Sequence, residues 1–431
     1  MMPAMPSAPL WNLSASELAA RLRARECSAV EVARSCIERA REREPVVKAF
    51  VQLDAEGALR QAEALDRGDI AGPLHGIPIA IKDTIDVAGL RCTFGTDIHA
   101  DRVPVRDAEV VRRLRSAGAM ILGTTVSTEY AIARAGPTTN PRDATRSPGG
   151  SSSGSAAAVA ANMAPIAIGT QTVGSIVRPS AYCGIFGYKP PKDAVPTTGA
   201  MPLSPFLDHL GPMARSIDDI VLAYRAMIGG DEARSTSPPK TALLVQGPFD
   251  ERIEAPSQLA LTRARALLQS KGLTIVPATL PAAAREAKRC WETILFRDLA
   301  KHHGADRDRF GDRMSDRFLK IIDDGRRVTD SAYDEAVAFA RALRAEVLRP
   351  LSPASIFVAP AVDGVAPVLS EHTGASDLQG LWSLTGLPAL AVPCGDADGL
   401  PIGVQLIGQP VEEHCLLAAG RFFEGVQKEF D

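Results

Sequence analysis

The sequence predicts an α/β fold, a single large domain in which a twisted mixed sheet is covered by helices on both faces. Three observations predict it. Short apolar or β-branched runs recur from residue 77 to residue 408. A strand, helix, strand order is legible between residues 77 and 123, which points to a mixed or parallel sheet under helices. Stretches with helical periodicity or rich in Ala, Arg, Glu and Leu fill much of the rest.

Composition bounds the answer further. The chain has 431 residues, 45% hydrophobic and 23% charged, which excludes a largely disordered protein. A net charge of −3 leaves no global basic field to hold nucleic acid or an anionic membrane. The seven cysteines are scattered and form no CxxC pair, so reduced thiols in a cytoplasm are expected rather than a disulfide framework.

Residues 1–66 read as an N-terminal helical segment. Met1-Met-Pro-Ala-Met-Pro6 holds no continuous apolar core and does not read as a secretory leader. From Ser14 onward, Leu18, Leu22, Val30, Val32, Cys36 and Ile37 recur between charges, giving two or three amphipathic helices. Residues 67–230 open with Gly72-Pro-Leu-His-Gly-Ile-Pro-Ile-Ala-Ile-Lys-Asp83, a turn and a short strand that ends on charge. A helix over 107–118 stops at Gly118 and feeds an apolar strand over 119–123. The densest Gly, Ser, Thr and Pro region, 138–199, still holds an Ala-rich helix over 155–162.

Residues 229–240 read as a polar loop entering a strand over 242–245. The span 231–350 reads as a helical cover. Residues 351–431 complete the same domain with strands at 356–360, 389–393 and 404–408 and a helix over 415–427. No run reaches the roughly 18 apolar residues that cross a bilayer, so a soluble protein with no membrane partner is expected. His302-His303 lies among charges and reads as a solvated helix face; with no metal-ligand spacing, neither metal nor cofactor is expected.

Three motifs carry candidate chemistry. Ser147-Pro-Gly-Gly-Ser-Ser-Ser-Gly-Ser155 runs straight into the apolar helix, so it is not a free linker. A loop of small residues there offers N–H groups and hydroxyls beside a positive helix end. Its Gly150-Ser-Ser-Ser-Gly154 also fits a G-x-S-x-G elbow with Ser152 as nucleophile, but 139–148 contains two prolines and supplies no preceding central strand.

The second motif, 168–179, is a strand entering a Gly-containing turn that carries Ser175. Consecutive N–H groups of Thr172, Val173, Gly174 and Ser175 can converge there as an oxyanion hole; an ordinary tight turn is the alternative. The third is Lys82. A lysine at a strand end is commonly solvated, whereas one among apolar residues is driven towards the neutral amine and can act as a base without histidine.

Together these motifs resemble the amidase signature family. The resemblance rests on Gly76-Ile-Pro-Ile-Ala-Ile-Lys82-Asp83, Gly149-Gly-Ser151-Ser-Ser-Gly154 and Gly169-Thr-Gln-Thr-Val-Gly-Ser175 in the family's order. Further landmarks are Asn140-Pro141, Tyr182-Cys-Gly-Ile-Phe-Gly-Tyr-Lys189-Pro, Asp208-His-Leu-Gly-Pro-Met-Ala-Arg-Ser216, Thr385-Gly-Leu-Pro-Ala389 and Gly399-Leu-Pro-Ile-Gly-Val-Gln-Leu-Ile-Gly408. The match spans about 14–425 and is weakest over 230–350.

The resemblance implies a Ser–cis-Ser–Lys triad. Ser175 is the nucleophile, Ser151 relays the proton, and Lys82 accepts it and returns it to the leaving amine. The N–H groups of residues 172–175 hold the oxyanion, the Gly150–Ser151 peptide is cis, and Ser153 supports the loop, unless it is a plain loop hydroxyl. Two departures stand out. Gln171 and Val173 replace the acid and first glycine of the family's GTDTGGSIR turn, so the turn must use ordinary backbone angles at Val173. Arg178 stands three residues after Ser175 rather than two, which resembles the malonamidase branch and implies a clamp on a substrate carboxylate; a structural arginine tied to an acid is the alternative.

The expected activity is hydrolysis of a small linear amide, such as malonamate, to a carboxylate and ammonia or amine through acyl-Ser175. The A subunit of a tRNA-dependent glutamine amidotransferase and a biuret- or allophanate-type hydrolase are the alternatives. The expected partner is a small-molecule amide, without nucleic acid, and the resemblance implies a homodimer.

Overall fold

The computed structural model describes residues 8–230, 237–247, 250–370 and 372–426. Among these, eleven strands form one sheet: β1 (Phe50–Leu53), β2 (Pro78–Lys82), β3 (Met120–Thr125), β4 (Ile166–Gln171), β5 (Phe186–Lys189), β6 (His209–Ala214), β7 (Thr241–Gln246), β8 (Thr274–Thr279), β9 (Ser355–Pro360), β10 (Ala389–Ala397) and β11 (Leu400–Ile407). Their order across the sheet is β1-β3-β2-β4-β6-β5-β10-β11-β9-β7-β8. The trios β3-β2-β4 and β9-β7-β8 are parallel. The strands between them, and the edge pair β1-β3, are antiparallel.

Alternation along the strands explains the double cover. In β9, Ile356 and Val358 enter one apolar core while Phe357 and Ala359 enter another. In β10, Leu390 and Val392 divide from Ala389 and Ala391 in the same way. Both faces are therefore apolar, and each must be buried under helices. The first core takes helices Ala15–Arg23, Ala29–Val47, Glu109–Ser116, Ile217–Ile228 and Ala255–Ser270. The second takes Ala287–Phe310, Asp316–Arg326, Asp330–Leu348 and Asp377–Leu384.

Local sequence sets the starts of the first two helices. Ser14 with Glu17, and Ser28 with Glu31, form reciprocal capping boxes. Asp219 then accepts the Ala15 and Ser16 N–H groups at 2.9 and 2.8 Å, tying the N-terminal helix to a residue far along the chain.

Several expectations need correction. Residues 50–53 lie inside the segment expected to be helical, yet form β1; four residues carry too little alternation to announce a strand, and pairing with β3 makes one. The stretch 231–350 is helical cover only in part, because β7 and β8 from it extend the sheet. β8 was not foreseen: it is an edge strand, largely exposed, with Pro277 at its centre. His303 is buried rather than solvated, with its Nε2 2.8 Å from the Pro202 carbonyl. The terminal helix is Glu413–Gly420, followed by a 3-10 turn at Arg421–Phe423; Gln427, residues 231–236 of the polar loop and Met1 to Pro6 lie outside the described residues. All seven cysteines are unpaired, and among the described residues no helix is long and apolar enough to cross a membrane.

Candidate active site

Parallel pairing of β2 with β4 sets Ile81 opposite Ile168, so Lys82 at the end of β2 reaches Thr170 of β4. The Lys82 side chain is wholly buried. Its Nζ lies 2.7 Å from both Ser151 Oγ and Thr170 Oγ1 and donates to them. Burial holds its pKa well below the ordinary lysine value; nearby Asp208 opposes that shift and Arg178 reinforces it. An amine in this state can take a proton from the serine it touches.

The loop that presents Ser151 is held from three sides. Gly149 adopts φ +79°, and a Cβ there would stand 2.8 Å from Pro179 Cα, so glycine is required. The Gly150–Ser151 peptide is cis. Ser153 Oγ donates to the Gly149 carbonyl at 2.7 Å, and Ser152 Oγ donates to the Thr170 carbonyl at 3.2 Å while accepting the Thr170 N–H at 3.3 Å. Ser152 is buried in this role and ties the loop to β4, which removes the elbow reading on geometry as well.

The turn that presents Ser175 is built around Gln171. Its Oε1 accepts the N–H groups of Ile176 and Val177 at 2.8 and 3.0 Å. Its Nε2 donates to the Val173 carbonyl and to Ser383 Oγ, both at 3.1 Å, and Ser383 Oγ donates to the same carbonyl at 2.7 Å. Val173 stays outside the left-handed region, as the sequence required. At Gly174 a Cβ would crowd the Gln379 side chain, which would have to shift to admit it. Thr172 Oγ1 donates to Asp208 Oδ1 at 2.6 Å; the other Asp208 oxygen accepts the Leu203 and Ser204 N–H groups at 2.9 and 3.0 Å. Burial raises Asp208 to about 6 against these hydrogen bonds.

Loop and turn meet where the Ser152 N–H donates to the Ser175 carbonyl at 3.3 Å. Ser151, Ser175 and Arg178 line one cavity of about 320 Å³ together with Thr172, Val173 and Gly174. Ser175 is 8% exposed there. Among the described residues no cluster suited to a metal ion occurs.

The sequence model of the family described as Amidase matches residues 31–417. The chain belongs to the amidase family. It is accordingly an amidase-family enzyme acting on amide C–N bonds. Similar curated amidase-family proteins include the A subunit of the glutamyl-tRNA(Gln) amidotransferase of Carboxydothermus hydrogenoformans, 32% identical over 96% of this chain and 97% of the relative. The protein of the same name from Roseiflexus castenholzii is 34% identical over 97% of this chain and 96% of its own. Among solved structures, the peptide amidase of Stenotrophomonas maltophilia superposes with a TM-score of 0.84 at 30% identity, covering 97% of this chain and 98% of that one.

Of the expected residues in this amidase, Ser151, Thr172, Val173, Gly174, Ser175 and Arg178 line the cavity and Lys82 reaches it only through Ser151, while Gly150 and Ser153 do not line it. Arg178 has unexpected partners. It is buried, and its Nε and Nη2 both donate to the Gly150 carbonyl, at 3.0 and 2.7 Å. Nη1 donates to the Gly374 carbonyl at 2.9 Å and Nη2 to Thr373 Oγ1 at 3.2 Å. Its hydrogen bonds thus go to carbonyls and a hydroxyl rather than to an acid. Sequence reasoning missed Thr170, the stapling role of Gln171, and the partners Ser383 and Gln379. It also missed the outer wall, where Trp291, Phe296, Arg317 and Ile321 line the same cavity from the helical cover. Only Thr170 carried a signal, lying two residues beyond Ile168 on the same face of a strand beside β2.

Proposed function

We propose that this chain cleaves an amide through an acyl intermediate on Ser175, with Ser151 and Lys82 as its proton relay. The observation that carries the reading is Lys82: buried, held towards the neutral amine, and bonded to a serine on the cavity that Ser175 also lines. Neutral Lys82 takes the Ser151 proton as Ser151 takes that of Ser175, whose Oγ adds to the amide carbon. Negative charge then develops beside the N–H groups of residues 172–175. Collapse breaks the C–N bond, and the proton returns from Lys82 through Ser151 to the departing nitrogen. Water, deprotonated by the same relay, releases the acid and restores Ser175.

Two readings share this chemistry. The curated relatives support the second of them, the A subunit of a tRNA-dependent amidotransferase, in which other protein chains and a tRNA become partners despite the expectation of neither. Malonamate as substrate of the free-standing reading depends on Arg178 as clamp, and that guanidinium is engaged by Gly150, Gly374 and Thr373. A homodimer as its assembly comes from the family resemblance alone. Peptide amidase supports a free-standing amidase of some other amide.

Ammonia release from glutamine, malonamate and malonamide, and aniline release from an anilide, by wild type and Ser175→Ala, tests the chemistry. Ser175→Ala is expected to lose activity on the order of 10⁴-fold or more. Full activity in that variant would overturn the acyl-Ser175 reading. Release from glutamine alone would favour the amidotransferase reading; release from the other amides without any partner chain would favour the free-standing one.

A further inference from the structure

Arg317 belongs to the helical cover, yet it lines the same cavity as Ser151 and Ser175. Its surroundings are odd for a structural arginine. Among the described residues it has no carboxylate partner; its one hydrogen bond is from Nη1 to His372 Nδ1 at 3.5 Å. It stands in the first turn of helix Asp316–Arg326, where the helix dipole disfavours a cation. It is exposed, yet the protein around it desolvates the guanidinium and lowers its pKa.

The position is nevertheless well fixed. The Ser315 N–H donates to Glu129 Oε1 at 3.0 Å and Ser315 Oγ donates to Glu129 Oε2, anchoring the residue before the helix. Phe318, beside Arg317, stacks on Tyr130 with ring centroids 4.4 Å apart and planes 11° apart. On its other side Arg317 borders a surface depression shared with Arg134 and His372. The remaining charges on the cavity are Arg178, committed to Gly150, Gly374 and Thr373, the Lys320–Asp324 pair at 2.7 Å, and Glu292. Glu371, next to His372, lies outside the described residues.

We propose that Arg317 forms an anion subsite at the mouth of the cavity and that the preferred substrates are amides bearing a carboxylate or similar anionic substituent. An anion seated there would gain a planar two-pronged donor and the positive end of the helix, which together offset the unfavourable placement of the cation. The inference rests on the acyl-Ser175 reading only in taking this cavity as the substrate site.

Calorimetric titration separates the two. Ser175→Ala is titrated with malonamate, succinamate and glutaramate and with their neutral diamides, alone and combined with Arg317→Gln or Arg317→Lys. At least one anionic probe is expected to bind tenfold or more tightly than its diamide. Arg317→Gln should abolish that preference, Arg317→Lys should keep part of it, and neutral binding and Tm should stay unchanged. Absence of any preference, or its persistence in Arg317→Gln, overturns the subsite, as does an equal effect on both probe classes. None of these outcomes depends on whether Ser175→Ala is inactive, which decides the chemistry separately.

Discussion

In the proposed relay, Lys82 acts through the loss of a charge that lysine usually keeps. With its Nζ held by two hydroxyls and, among the described residues, no carboxylate accepting from it, the neutral amine is the form that burial favours. Arginine at the same site would stay protonated at every working pH. Lys82→Arg is therefore expected to lower kcat about 10²–10⁴-fold without recovery at alkaline pH, read from a pH–rate profile. A retained profile would remove Lys82 from the relay. Arg178 and Arg317 should separate at this scale as well. Arg178→Ala leaves the Gly150 and Gly374 carbonyls without their donors, so turnover of neutral and anionic amides should fall together. Comparison of the two substrate classes checks this, and selective loss with the anionic class would return the clamp to Arg178.

At the scale of elements, the Thr172–Ser175 turn has no internal ladder and depends on a glutamine at the end of β4. Gln171→Ala removes the acceptor of two N–H groups and a donor to Val173 and Ser383. We expect a loss of about 1–3 kcal/mol in stability, measured by urea unfolding, and a kcat that falls more than KM changes. Unchanged kcat in a folded variant would show that the turn keeps its shape without this staple. The same comparison explains what was legible beforehand. Lys82, Ser151 and Ser175 sit in short contiguous motifs, so sequence alone marked them. Ser383 and Gly374 join Gln171 and Arg178 across 212 and 196 residues, and no local pattern announces such a contact. Strands buried on both faces, such as β2, β3 and β9, read as apolar runs; β1 is too short and β8 too exposed to do so.

Across the whole molecule, two buried carboxyls couple stability to pH. Burial raises both Asp83 and Asp208 to about 6. Asp83 is opposed by the Thr93 hydroxyl, the Thr93 N–H at 2.6 Å and the Gly95 N–H at 3.1 Å. Because each folded value lies above the ordinary aspartate value of 3.8, the folded state binds protons more tightly than the unfolded chain. Their contribution is complete below about pH 4 and is lost as pH rises through about 6. Asp208→Asn should flatten the fall of Tm between those limits; an unaltered slope in thermal scans would contradict the assignment.

The far margin of the sheet has a consequence for how these molecules tolerate one another. β8 is bordered on one side only, and Val276 on it is 38% exposed. A neighbouring molecule adding a strand there would meet Pro277, a residue with no amide hydrogen to share, in the middle of the run. Crowded solutions should for that reason stay clear, and Pro277→Val is expected to bring the onset of light scattering to a lower protein concentration.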